Sequence, residues 1–112
     1  TPLNMSWNDK LYKSNIDIAS AATTEVIAAV AGKRIAIDHI NMLSAGTNTV
    51  TLKDGSTTYG AGYSLAAQVG IALDNTMKNH DGVITLSENT ALNITTSAAV
   101  QLSGFIRYRI IE

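Results

Sequence analysis

Cysteine is absent from this 112-residue chain. That excludes disulfides, thiolate nucleophiles and cysteine metal sites, and leaves the redox compartment undetermined. Proline and tryptophan occur once each, as Pro2 and Trp7, both near the N-terminus. Aromatic residues are only 5% of the chain, so the core must be built from Ile, Val, Leu and Ala. Charged residues, at 15%, fall well below the roughly 25% of an average soluble domain. A surface so poor in charge repels its neighbours little and suits a subunit within an assembly. The 8 basic residues are scattered and the net charge is −1. No Lys/Arg run could neutralise a row of phosphates, which argues against nucleic acid as a partner. No segment approaches the ~18 apolar residues of a membrane span. The opening "TPLNMSWNDKLYK" has no apolar stretch of the kind a secretory signal needs. Neither membrane nor nucleic acid is expected as a partner.

What is present is apolar and patterned. Apolar residues are 46% of the chain, enough for one domain with a core that needs neither disulfide nor metal. Residues 1–12 hold Trp7, Leu11 and Tyr12 among Asn, Asp and Lys without a consistent period, and read as an extended N-terminal arm. A floppy terminus is one reading of them. The other is an arm that docks on a neighbour through Trp7, Leu11 and Tyr12, because aromatics dominate interface energetics.

Residues 13–112 read as a β-sandwich domain. "SNIDIAS" sets Ile16 and Ile18 against Asn15 and Asp17, the period of a half-buried strand. "AATTEVIAAVAGKR" suits either a short helix ending at a glycine cap or a strand. Its β-branched pairs favour the strand, with Ala31-Gly32 as the turn. In "KRIAIDHINML", strict alternation places Ile35, Ile37, His39, Asn41 and Leu43 on one face. Arg34, Ala36, Asp38, Ile40 and Met42 take the other, so both faces are mixed. "TNTVTLK" is a further strand, and Asp54-Gly55 after it is a hairpin turn signal. "YGAGYSLAAQVGIALD", "VITLS", "ALNITTS" and "VQLSGFIRYRIIE" bring the total to about eight or nine short strands at 8–12-residue spacing. Gly104 marks a bulge or bend in the last of them. The pattern points to an all-β, jelly-roll-like antiparallel sandwich.

Chemistry is sparse. A hydrolytic site would have to use His39 or His80 as base. Residues adjacent in a strand point to opposite faces, so Asp38 is not expected to orient His39. His80-Asp81 reads as part of a turn. Asp74, Asn75, Asn79, His80 and Asp81 offer oxygen ligands but lack the spacing and central glycine of a calcium loop. Gly60-Ala61-Gly62 lacks the third glycine and the helix of a phosphate-binding turn. Asn4 and Asn93 match the glycosylation pattern, which carries no meaning without a secretory signal. No catalytic residue, metal or cofactor is expected, and the chain reads as non-enzymatic. Arg107 and Arg109 share a face of the last strand. They are either solvated or available to pair with a neighbouring subunit's carboxylate, fixing register more than affinity.

An ordered set of short motifs resembles a class of small bacteriophage virion proteins. A "V-AA-V-x-GK-x-I" frame ends here in Val30 to Ile35, and "V-T-x-K-x-G-S-T" falls at Val50 to Thr57. "SLAA" is Ser64 to Ala67, "L-x-x-N-x-A-L-N-I" is Leu86 to Ile94, and "S-AAV-x-L-x-G-x-I-x-Y" is Ser97 to Tyr108. The resemblance covers about residues 16–110 and leaves the arm outside. It implies a jelly-roll structural protein, often a homotrimer, that decorates or cements a capsid or builds tail and fibre parts. The first expectation is a capsid decoration (cement) protein on the virion surface, with itself and the major capsid protein as partners. The alternative is a tail, fibre or spike component binding host glycans or a receptor, with Tyr59 and Tyr63 as its aromatic platform.

Overall fold

Alternating β-branched and small polar residues leave few options but strands, and strands are what form. The computed structural model describes residues 10–76 and 81–111. Among them are ten strands and no helix: β1 (Tyr12–Ile18), β2 (Thr23–Ile27), β3 (Arg34–Ser44), β4 (Asn48–Asp54) and β5 (Thr57–Thr58), followed by β6 (Tyr63–Leu65), β7 (Val69–Asp74), β8 (Ile84–Thr85), β9 (Leu92–Thr96) and β10 (Leu102–Ile111). Every pairing is antiparallel. The first sheet runs β1-β10-β3-β7, with β8 also on β3. The second runs β2-β9-β4-β5, with β6 also on β4.

The two sheets bury one core between them. Ile16 and Ile18 of β1, Ile40 and Met42 of β3 and Leu102 and Ile106 of β10 come from the first sheet. Ile27, Val50, Leu52, Leu92 and Ile94 come from the second. All of these are 4% exposed or less, so aliphatic burial supplies the main stabilisation. The ambiguous "TTEVI" segment is a strand, and Gly32 makes the turn after it at φ +72°. Tyr12, the last residue assigned to the arm, is the first residue of β1 and pairs with Tyr108. Trp7 and the rest of residues 1–9 lie outside the described residues, as do Asn79 and His80.

Two local expectations need correction. The β4–β5 hairpin pairs Asp54 with Thr57, so its central residues are Gly55-Ser56, not Asp54-Gly55. Gly55 takes φ +66° at the first central position, where hairpins of the II′ type require glycine. Asp54 is instead the last ladder residue. Its carboxylate accepts hydrogen bonds from the Ser87 backbone N–H and hydroxyl, tying the hairpin to the segment before β9.

The second correction is in β3. Pairing with β10 shifts register between Arg107 and Tyr108: Arg107 faces His39, whereas Tyr108 faces Ile37. Asp38 is the extra residue, and the strand's inner and outer faces exchange there. Ile35 and Ile37 therefore join Ile40 and Met42 in one core, which strict alternation forbade. Gly104 carries no register shift; it marks a close approach instead. A Cβ there would run into the Asn41 carbonyl oxygen.

Candidate functional site: the outer face of the first sheet

Since Ile16, Ile18, Ile40, Met42 and Ile106 face the core, their strand neighbours face outward. The cross-strand register arranges these neighbours in three rows. Asp17, Ser103, Leu43 and Gly70 form the first, and Asn15, Phe105, Asn41 and Ala72 the second. Lys13, Arg107, His39 and Asp74 form the third. Leu43 is 46% exposed, a high value for leucine, and Ala72, Gly70, Lys13, Asn15 and Asp17 are exposed around it.

One side-chain network holds the middle of this face. The Phe105 backbone N–H donates to Asn41 Oδ1 at 3.2 Å, which turns the Asn41 amide nitrogen toward His39. Asn41 Nδ2 lies 3.0 Å from His39 Nε2, and His39 Nδ1 lies 3.1 Å from Asp74 Oδ1. An amide NH2 can only donate, so Nε2 is the acceptor and the ring proton sits on Nδ1 toward Asp74. The His39 ring also packs at 5.4 Å from Phe105. A triad would aim Nε2 at a hydroxyl. Here an amide occupies it, so the His39–Asp74 pair fixes a ring orientation and activates no nucleophile.

The bulge places a second polar group beside the first. Asp38 accepts two hydrogen bonds from Arg109, from Nε at 2.6 Å and from Nη2 at 3.0 Å. A third comes from Asn75 Nδ2 at 2.8 Å. The chain leaves β7 and returns to β8 around this point, with Asn75 N bonded to the Asp38 carbonyl and Val83 N to that of Ile37. Arg109 is 1% exposed, and its carboxylate partner belongs to its own chain. This corrects the expectation for Arg109 as a solvated or inter-subunit residue. A buried guanidinium requires a paired carboxylate, and the bulge supplies one.

Arg107 is different. It shares the face of Arg109, but among the described residues no carboxylate pairs with it, and its Nε is buried without a hydrogen-bond partner. Lys13 stands directly opposite it, a like-charge placement that disfavours the pair in isolation.

The remaining predicted residues lie elsewhere. Tyr12 stacks on Tyr108 with ring centroids 5.4 Å apart, and Lys10 Nζ lies 4.9 Å from the Tyr12 ring centre. Burial, then the adjacent Tyr12, raises the Tyr108 phenol above its ordinary value of 10.0. Leu11, the other described arm residue, is 43% exposed. Tyr63 packs partly against the core, whereas Tyr59 is 41% exposed. Of the possible calcium ligands, Asp74 is engaged by His39 and Asn75 by Asp38. Asn93 lies in β9 and donates to the Gly55 carbonyl at 2.9 Å. Sequence reasoning missed Lys13, Asn41 and Phe105 as a group, because only the ladder register brings them together.

No protein-family model matches the chain, and no curated protein matches it. Among solved structures, one that matches belongs to work on Bacillus endospore appendages, described as a novel family of disulfide-linked pili. It is 14% identical over 99% of this chain and 97% of that one, with a TM-score of 0.46. At that level the likeness carries no argument about function.

Proposed function

We propose that this chain is a non-enzymatic structural subunit of a bacteriophage virion, foremost a capsid decoration (cement) protein. The observation that carries the reading is the ordered motif set from Val30 to Tyr108. The strand order supports it: β1-β10-β3-β7 faces β2-β9-β4-β5, and the chain passes from one sheet to the other at β1–β2, β2–β3 and β3–β4, as in a jelly roll. The outer face supports it too, since it offers an exposed Leu43 and an Arg107 that has no carboxylate partner among the described residues.

The mechanism is mechanical. Copies associate as homotrimers, and the arm, with Trp7 and Leu11 as anchors, lies over the capsid lattice or a neighbouring copy. Each copy bridges adjacent major capsid subunits and raises the cost of separating them. Many weak contacts acting together gain avidity, so modest affinity per copy is enough. Shells carrying the protein are expected to survive heating that opens bare shells, and a chain beginning at Tyr12 to give no such protection. Equal heat resistance of bare and decorated shells would remove the cement reading, and full protection by the shortened chain would remove the arm from it.

A second reading, a host-glycan module of a tail, fibre or spike, rests on the exposed ring of Tyr59. A glycan-array signal lost on Tyr59→Ala would favour it, and a blank array would leave it without support.

A further inference from the structure

We infer that the outer face of the first sheet pairs with the same face of a second copy, about a two-fold axis lying in the interface and perpendicular to the strands. The inference rests on the geometry of the face alone, so it stands or falls separately from the virion reading.

The rows of the face are self-complementary under that operation, which exchanges the first row with the third and returns the second to itself. Lys13 of one copy then meets Asp17 of the other, twice, because the two residues lie on β1 at equal distance from the middle row. Asp17 is exposed, and among the described residues Gln101 Nε2 alone bonds to its carboxylate, at 2.7 Å. Arg107 falls over Ser103 of the second copy, beside the same Asp17. The acid thereby answers both cations of the Lys13–Arg107 pair, including the one that has no carboxylate partner among the described residues.

The middle row places Phe105 against Phe105, an aromatic contact at the centre of the patch. Leu43 comes over the His39 ring of the second copy. The other in-plane axis, parallel to the strands, would set Lys13 on Asp74, a carboxylate already engaged by His39, lay Arg107 on His39 and leave Asp17 over Gly70. Only the first axis gives Asp17 a cation, so Asp17→Lys separates the two.

The patch is small. Four strands by five residues span about 19 by 17 Å at ordinary strand spacing and rise. That is well short of the ~800 Å² per partner of a stable interface. The pairing is therefore weak, a contact that matters where copies are held close together. A two-fold contact also fixes the parity of the assembly: free copies form dimers, and trimers join as hexamers.

The test is sedimentation equilibrium of the full chain at increasing concentration, for the natural protein, Lys13→Asp, Asp17→Lys and the double exchange. All these positions are exposed, so the fold is not at stake. The natural protein is expected to reach an even oligomer. Each single exchange should weaken the association by more than about tenfold, since like charges then face each other twice. The double exchange should restore it. A protein that stays monomeric or stops at a trimer overturns the inference. So do single exchanges without effect, or a double exchange that stays as weak as the singles.

Discussion

At Arg109 the surroundings decide what the side chain is. The guanidinium is buried, and Asp38 meets it there with both carboxylate oxygens. Arg109→Met alone would strand a buried carboxylate, so we expect a loss of about 3–5 kcal/mol by urea unfolding. Replacing both residues, as Arg109→Met with Asp38→Leu, should recover most of that loss, because two apolar side chains leave no unpaired charge. A double variant as unstable as the single would mean that the pair holds the bulge itself. Tyr108 makes a prediction in pH. Its phenol is raised in the folded chain, so above pH 10 the unfolded chain loses that proton first. The resulting stability is fully present below pH 10 and is lost as pH rises through the folded value. Urea midpoints should therefore fall in strong alkali for the natural chain and fall less for Tyr108→Phe. Parallel curves would contradict this assignment.

Strands were legible where apolar and polar residues alternate without interruption. Ile16 and Ile18 in β1, Val50 and Leu52 in β4 and Ile106 and Tyr108 in β10 lie on the faces their alternation predicts. The bulge in β3 was not foreseen, yet its trace is in the sequence. Apolar residues occupy odd positions at Ile35 and Ile37, then even positions at Ile40 and Met42, and the phase changes at Asp38-His39. A strand that changes phase must either waste half its apolar side chains or insert a residue. The fate of Arg109 was not legible at all, because its partner lies 71 residues away and only register joins them. The same holds for the row of Lys13, Arg107, His39 and Asp74. Gly104 was flagged by its glycine alone, and the structure gives the reason as the Asn41 carbonyl against its Cα. Gly104→Ala should force β10 away from β3 and cost about 1–3 kcal/mol, read as a lower thermal midpoint. An unchanged midpoint would show that the strands have room there.

Across the whole molecule, a sandwich with an aliphatic core leaves function to its surfaces. The low charge of the chain, the exposed Leu43 and an Arg107 without a carboxylate partner among the described residues concentrate interest on one sheet face. The proposed role needs that surface and the arm to act together on a lattice, where weak contacts repeat. The most direct measurement is co-sedimentation of the purified protein with capsid shells that lack it, with stoichiometry read from the pellet. Decoration predicts saturable binding at a fixed ratio to the major capsid subunit. A protein left wholly in the supernatant, as a soluble oligomer beside intact shells, would contradict it.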